Sequence, residues 1–264
     1  MSARYGLSAI SSEQLLSLPA KLPEQLRCVE FSGEALESSS GCSKLASLAK
    51  NGIELFGRDF IAPEIAGLIP EENCKLRSEL ETHFRSRCSK AAEYGVRTIS
   101  VSFDIFQAMN TPEYKEKLAV FLKRCAGVMY GFRQNMRFVC RIPGGGTFDK
   151  WEDILTFRNS LLLPGIDMLL EMHPHEPNAS GIMNSALRTF RFHDDLRRIC
   201  YDPGIGNILT PEALKRCSAC MAAGLEQTVT VFFAPGSGKF DLFRINELDS
   251  LVRNFDAPEE VSHE

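Results

Sequence analysis

The feature that most constrains this chain is a design repeated in several short segments, in which apolar and polar residues alternate and a polar group stands near the end. Residues 167–177 carry it most clearly and read DMLLEMHPHEP. Alternate side chains of a strand share a face, so Leu169, Glu171 and His173 are predicted to point to one side. The same alternation is present in residues 26–32, 97–104, 137–142 and 196–202. One face of each strand can therefore pack while the other face binds.

Helix-forming segments separate these strands, which favours a parallel sheet covered by helices. Pro112 and Pro211 each follow a threonine and precede a glutamate, a pattern typical of the first position of a helix. Seven strands are predicted, at residues 5–10, 26–32, 97–104, 137–142, 166–173, 196–202 and 228–234. The eighth is either 53–61, which reads equally as a strand or a loop, or a segment without a clear signal.

The length of the chain suits one large α/β domain. A (β/α)8 barrel uses roughly 250 residues, and this chain has 264. We therefore predict an α/β fold with a single TIM-type barrel domain over residues 1–264. Whether one of its strands is irregular or incomplete is left open.

The charge and composition of the chain favour a small-molecule partner. The net charge is −4, and basic residues do not interleave with aromatics as they do in a nucleic-acid-binding surface. No run approaches the roughly 20 apolar residues of a membrane span, and the first 20 residues lack the core of a signal peptide. We expect a cytoplasmic protein that binds neither nucleic acid nor membrane. Its oligomeric state, monomer or homo-oligomer, is left open.

Two strand ends carry the groups that best suit catalysis. Glu171 and His173 lie two residues apart on one predicted strand, and Asp202 ends the next strand. Carboxylates and imidazoles that converge suit a divalent cation or a substrate hydroxyl, and a parallel barrel gathers strand ends at one mouth. We predict Glu171, His173 and Asp202 as catalytic residues and metal ligands, with His175 and Glu176 contacting substrate. The alternative is that the histidines make ordinary loop hydrogen bonds and Asp202 opens a turn.

Other strand ends supply candidate substrate-binding groups. Glu30 and Asp104 occupy equivalent strand-end positions, and Arg141 is predicted to be the one cation on an inward strand face. An inward guanidinium suits an anionic or hydroxyl-rich ligand. The alternative is that Glu30 or Asp104 simply pairs with Arg141.

Glycine-rich loops follow two of the strands. Residues 144–146 read GGG, and residues 236–239 read GSGK and end in Lys239. Backbone N–H groups in such loops can hold a phosphate, so Lys239 is a further substrate-binding candidate. A plain tight turn is equally compatible, and the spacing of a P-loop is absent.

Three segments resemble the sugar phosphate isomerase/epimerase superfamily with the xylose isomerase-like barrel. Residues 170–174, LEMHP, resemble its Leu-Glu-x-His-Pro strand end, and 201–204, YDPG, are similar to the following strand end. Residues 236–241, GSGKFD, resemble its Gly-x-Gly-x-x-Asp segment. The resemblance implies a TIM barrel in which Glu171 is a metal ligand and acid/base residue and Asp202 helps to bind the metal.

The chain also departs from the pattern of that superfamily. Ile205 stands where the family has a histidine, and residues 231–235, VFFAP, replace a His-x-Lys-Asp-like metal-binding segment. The closing strand and its glutamate, expected after the last helix, have no clear counterpart in residues 256–264. The divalent metal is therefore either held by an altered ligand set or absent.

Three functions follow from these observations. The first is an isomerase or epimerase that acts on a sugar, sugar phosphate or related polyol through metal-assisted proton transfer. The second is a metal-free barrel that binds carbohydrate without catalysis. The third is a phosphate-handling lyase that uses the glycine-rich loops.

Overall fold

Eight parallel strands close into a barrel in the computed structural model, which describes residues 3–61, 74–102, 112–132, 136–143, 167–172, 198–201, 229–235 and 238–256. Each strand pairs with the next along the chain, and the last pairs with the first. The strands are β1 Ala3–Ala9, β2 Leu26–Ser32, β3 Glu54–Arg58, β4 Thr98–Ser102, β5 Arg137–Pro143, β6 Asp167–Met172, β7 Arg198–Tyr201 and β8 Val229–Phe233. The predicted (β/α)8 barrel is confirmed.

Helices follow β1, β2, β3, β4 and β8 in the described residues. They are α1 Ser12–Ser17, α2 Ser39–Lys50, α3 Cys74–Glu93, α4 Pro112–Tyr130 and α5 Leu242–Asp256, together with the 3-10 helix η1, Gly33–Glu37. The sequence also predicts helices over 148–163, 185–192 and 210–223, and these ranges lie outside the described residues. None of the described helices is both long and apolar enough to cross a membrane.

The eighth strand lies where the sequence was ambiguous. It is β3, inside the segment 53–61, and it pairs with β2 over five residues but with β4 over two. The barrel closes through β8, which pairs with β1 from Ala3 to Leu7. A further strand after the last helix is therefore not needed for closure.

Serine side chains fix the start of two early helices. Ser11 Oγ accepts from the Gln14 N–H at 3.2 Å, and Gln14 Oε1 accepts from the Ile10 N–H at 2.8 Å, which forms a reciprocal cap. Ser38 Oγ accepts from the Gly41 N–H at 3.0 Å, so α2 begins at Ser39. Ser38, Ser39 and Ser40 are therefore the cap and the first residues of this helix.

Aromatic rings and a small residue fill the inside of the barrel. The rings of Phe56 and Phe232 meet edge to face at 5.4 Å between centroids, and both pack against Cys28. Gly6 on β1 lies so close to β2 that an added Cβ would come within 2.4 Å of the Cys28 carbonyl oxygen. This packing shows that Cys28, Glu30 and Ser32, which alternate along β2, lie on its inward side.

Candidate functional site

The carboxyl ends of β1, β2 and β3 hold a buried carboxylate between a serine and an arginine. Glu30 on β2 is fully buried. Its Oε2 accepts from Ser8 Oγ of β1 at 2.6 Å and from Arg58 Nη1 of β3 at 3.2 Å. A buried carboxylate is costly unless charge and hydrogen bonds compensate it, and these two donors supply both.

Strand register explains why these three residues meet. Ser8 lies directly across from Glu30 in the β1–β2 ladder, and Ser32 lies across from Arg58 in the β2–β3 ladder. Arg58 is the last residue of β3, and its long side chain reaches back to Glu30. The predicted position of Glu30 at a barrel strand end is thus confirmed.

Arg58 is the cation that sequence reasoning missed. The expectation that Arg141 is the one cation on an inward strand face is wrong, because Arg58 lies on the inward side of β3 with its side chain 16% exposed. Among the described side chains, Glu30 pairs with Arg58. The signal was present in the alternation of Glu54, Phe56 and Arg58, but it lay in the segment that reads equally as a loop.

The chain turns sharply just after Arg58. Asp59 has φ of +51°, a left-handed conformation that costs a residue with a Cβ about 1–2 kcal/mol. Its Oδ2 lies 3.4 Å from Arg58 Nε, so the guanidinium lies between two carboxylates. Backbone strain that is retained beside charged groups is typical of functional sites.

The side chains of Glu30, Arg58 and Ser8 suit the recognition of hydroxyl groups. A planar guanidinium offers several donors in a fixed arrangement, and a partly exposed one can direct them at a ligand in the barrel mouth. The fully buried carboxylate beside it holds the guanidinium in place. These groups can orient a polyol.

Glu171 lies near the carboxyl end of β6. Its backbone pairs with Pro143 of β5 on one side and with Arg198 of β7 on the other. Arg141 lies in β5, across from Ser102 and Leu169. The roles predicted for Glu171 and Arg141 stay predictions.

Five further candidates lie outside the described residues. They are Asp104, His173, His175, Glu176 and Asp202. His173 directly follows β6, and Asp202 directly follows β7. Their predicted roles, and that of a metal ion bound to Glu171, His173 and Asp202, stay predictions.

Lys239 lies on the surface after β8. Its Nζ is 3.1 Å from Glu13 Oε1, and both side chains are more than 60% exposed. An ion pair between two such exposed groups contributes little to stability, so the lysine is available to a ligand at small cost. Gly238 before it has φ of +89°, which a glycine adopts freely.

The donor chemistry of the predicted metal ligands fits a divalent cation. Two carboxylates and an imidazole are ligands for zinc and similar ions. Within the part of the chain that the structure describes, no group of three or more His, Cys, Asp or Glu residues is placed to hold a metal. Of the predicted ligands, only Glu171 belongs to that part.

Comparison with solved structures shows the same fold in two sugar epimerases and in a xylose isomerase domain protein. A D-psicose 3-epimerase crystallised with D-fructose matches at 14% identity and a TM-score of 0.60, over 95% of this chain and 97% of that one. The 3-keto-D-glucoside 4-epimerase YcjR from E. coli matches at 13% identity and a TM-score of 0.57, over 96% of this chain and 100% of that one. A xylose isomerase domain protein from Alicyclobacillus acidocaldarius matches at 14% identity and a TM-score of 0.58, over 96% of this chain and 99% of that one.

These likenesses confirm the predicted TIM-type barrel fold. No protein-family model matches the chain, and no curated protein sequence matches it significantly. At 14% identity or less the structural matches establish the architecture alone, and a TIM barrel supports many chemistries. The function therefore has to be argued from the site.

Proposed function

We propose that this protein is an isomerase or epimerase that acts on a small carbohydrate by proton transfer next to a carbonyl group. The observation that carries the proposal is the buried Glu30 carboxylate held by Ser8 and Arg58 at the carboxyl end of the barrel. Barrel enzymes work at this end of the strands. The sugar epimerases that share the fold make a carbohydrate the preferred ligand class.

Arg58 binds and orients the substrate with the support of Glu30. The Arg58 guanidinium donates hydrogen bonds to sugar hydroxyl oxygens, and Glu30 fixes the guanidinium in place. Fixed donors hold the substrate in one pose, which lowers the entropic cost of the reaction.

Glu171 serves as the general base. Its carboxylate accepts the proton from the carbon beside the carbonyl, and a second acid/base group returns a proton to the product. His173 and Asp202 would hold a divalent ion together with Glu171. A bound ion supplies Lewis-acid polarisation of the substrate carbonyl.

The β6–β7 register bears on this assignment. Glu171 is already across from Arg198, the first residue of β7, and Asp202 comes four residues later along the chain. At about 3.3 Å per residue, the ladder alone does not bring the two carboxylates level. The metal assignment therefore depends on the chain beyond Tyr201, whereas the Glu30 and Arg58 assignment does not.

The test is deuterium incorporation into ketose sugars. Purified protein, with and without added Mn²⁺, is incubated with D-fructose or D-psicose in D₂O, and NMR follows exchange at the carbon beside the carbonyl and appearance of the epimer. We expect exchange in the wild type and its loss in Glu30→Gln and Glu171→Gln. Glu54→Gln is the matched control, because Glu54 pairs with Arg4 at the opposite end of the barrel. Exchange that is equal in all four proteins would refute the assignment.

Metal content is measured on the same preparations. A stoichiometric divalent ion in the wild type that is lost in Glu171→Ala supports the metal site. Exchange by a metal-free wild type would instead keep the proton-transfer proposal and remove the metal from it.

One observation favours a second function, a barrel that binds carbohydrate without turnover. Phe232 of β8 is fully buried against Phe56, so this strand fills the barrel with a ring. In the family pattern, the segment at 231–235 carries metal ligands. Calorimetric binding of D-psicose or D-fructose without any deuterium incorporation would favour this second function over the first.

A further inference from the structure

An arginine outside the barrel contacts the backbone next to the candidate site. Arg87 on α3 is 4% exposed. Its Nη1 donates to the Phe60 carbonyl at 2.8 Å, and its Nε donates to Glu37 Oε1 of η1 at 2.9 Å. Its Nη2 also donates to Glu37 Oε1. A buried guanidinium that uses all three nitrogens is fixed in position.

Phe60 is held from three other directions. Its N–H donates to the Ser100 carbonyl of β4 at 3.1 Å. Its ring meets the Phe31 ring at 6.1 Å and lies over Gly57, where an added Cβ would come within 2.1 Å of the ring. Phe60 is therefore an anchor, and Arg87 holds the one remaining polar group of its backbone.

The anchor lies two residues from the guanidinium of the site. Asp59 stands between Arg58 and Phe60 in a left-handed conformation and also contacts Arg58 Nε through its carboxylate. Because Arg58 belongs to β3 and Phe60 is clamped, the strained turn between them has little freedom. The direction of the Arg58 side chain follows from that turn.

We propose that Arg87 is a positioning residue that fixes the Arg58 guanidinium beside Glu30 by holding the Phe60 carbonyl. Glu37 orients Arg87, and Phe60 transmits its position to Asp59 and Arg58. Arg87 contacts no ligand itself. The importance of this role for catalysis rests on the proposed function, since it takes Arg58 as a group that binds the sugar.

Arg87 lies at the contact between η1 and α3, and a surface cleft lies on its solvent side. The cleft, of about 570 Å³, lies between η1 and α3, and Arg87 and Glu37 both line it. His83 also lines it and lies 2.9 Å from the same Glu37 oxygen. Glu37 is 48% exposed while Arg87 is not, so changes made at Glu37 act on Arg87 from the solvent side.

The test is an NMR measurement on the Arg58 side chain and the Phe60 amide. The Arg58 Nε–Hε signal is assigned by its loss in Arg58→Lys, and hydrogen exchange of the Phe60 amide is measured in parallel. Arg87→Met removes every donor while keeping an unbranched stem. Arg124→Met is the matched control, because Arg124 also forms an ion pair with a carboxylate of α3, Glu81, but lies on α4.

We expect the Arg58 signal to move or disappear in Arg87→Met and to stay in Arg124→Met. Exchange of the Phe60 amide should become faster by about tenfold, the equivalent of one lost net hydrogen bond. Arg87→Lys should restore only part of the change, since one ammonium group does not reproduce the fork of a guanidinium. The proposal is overturned if both the Arg58 signal and the Phe60 exchange rate of Arg87→Met match those of the wild type. If that variant does not fold, the same result in Arg87→Lys overturns it.

The sugar experiment separates this inference from the proposed function. A rise in the KM for ketose-dependent exchange in Arg87→Met, with kcat less affected, supports both. If Arg58→Met exchanges sugar like the wild type while the Arg58 signal still depends on Arg87, the positioning role stands and the proposed function fails at Arg58.

Discussion

Arg58 Nη1 lies 3.2 Å from Glu30 Oε2, and this ion pair joins β3 to a fully buried position on β2. Taking both charges out of water is costly, and their mutual attraction offsets only part of that cost. The loss of one partner therefore removes a charge–charge attraction that offsets part of the cost of burying the other. The stability of the fold depends on keeping or removing the two together.

Glu30→Leu should lower the free energy of unfolding by up to about 3 kcal/mol, because it removes the fully buried carboxylate of the pair and leaves Arg58 with the longer contact to Asp59. The double variant Glu30→Leu/Arg58→Met should recover a large part of that loss. Urea denaturation measures both. Arg4→Met, which breaks the exposed pair with Glu54, should cost less than about 1 kcal/mol. Equal losses for Glu30→Leu and Arg4→Met would contradict the role of burial.

Gly57→Ala should destabilise the barrel by about 1–3 kcal/mol, because the new methyl group would overlap the Phe60 ring. Gly127→Ala on α4 is the control, since an added Cβ there meets nothing within 4 Å. That variant should stabilise the protein by up to about 1 kcal/mol through helix propensity. Thermal unfolding of the pair gives the comparison, and a stabilised Gly57→Ala would disprove the packing described around Phe60.

Asp59→Gly should be more stable than Asp59→Ala by about 1 kcal/mol. Both variants remove the carboxylate, but only alanine pays the steric cost of a left-handed backbone with φ of +51°. At most positions the order is reversed, because glycine loses more entropy on folding. Chemical denaturation of the two variants measures the difference in their stability. If Asp59→Ala is the more stable variant, the turn is not strained.

Stability should fall in alkaline solution through a buried thiol. Burial raises the pKa of Cys88 from its ordinary value of 9.0 to about 12, and nearby Arg85 and Arg87 only partly oppose this effect. Between these two pH values the unfolded thiol loses its proton while the folded thiol keeps it, so the contribution is complete below pH 9 and is lost as the pH rises toward 12.

The measurement is the free energy of unfolding from pH 8 to 11 in wild type and Cys88→Ala. The wild type should lose up to about 1.4 kcal/mol per pH unit more than the variant above pH 9. Two curves that run parallel across this range would show that the Cys88 thiolate is tolerated in the folded protein.

Much of the fold was predictable because its signals are local. The strand of Glu30 was placed from alternation alone, residues 26–32, with the bounds that the structure gives it. The strand of Arg58 was ambiguous, because it has five residues and includes Gly57, which weakens a strand pattern. A glycine in a strand often marks a close approach, and the Phe60 ring is what approaches here.

The candidate site was only half predictable for a different reason. Glu30 was named from its place on a strand, whereas its pairing with Arg58 depends on the β2–β3 register, which no local pattern contains. The positioning role of Arg87 depends on how α3 packs against η1 and the turn after β3. Such relationships are long-range, and amphipathic spacing on a helix does not reveal which buried arginine reaches a backbone carbonyl.

The ring of Phe60 occupies the volume that a side chain at position 57 would need. The interior is therefore completed at this point by a residue from beyond the strand, and the number of residues from 57 to 60 becomes part of the packing. An insertion or deletion of one residue there would withdraw the ring and open a hole, although loops between barrel strands and helices usually tolerate a change in length. At this connection the spacing is as constrained as the residues themselves.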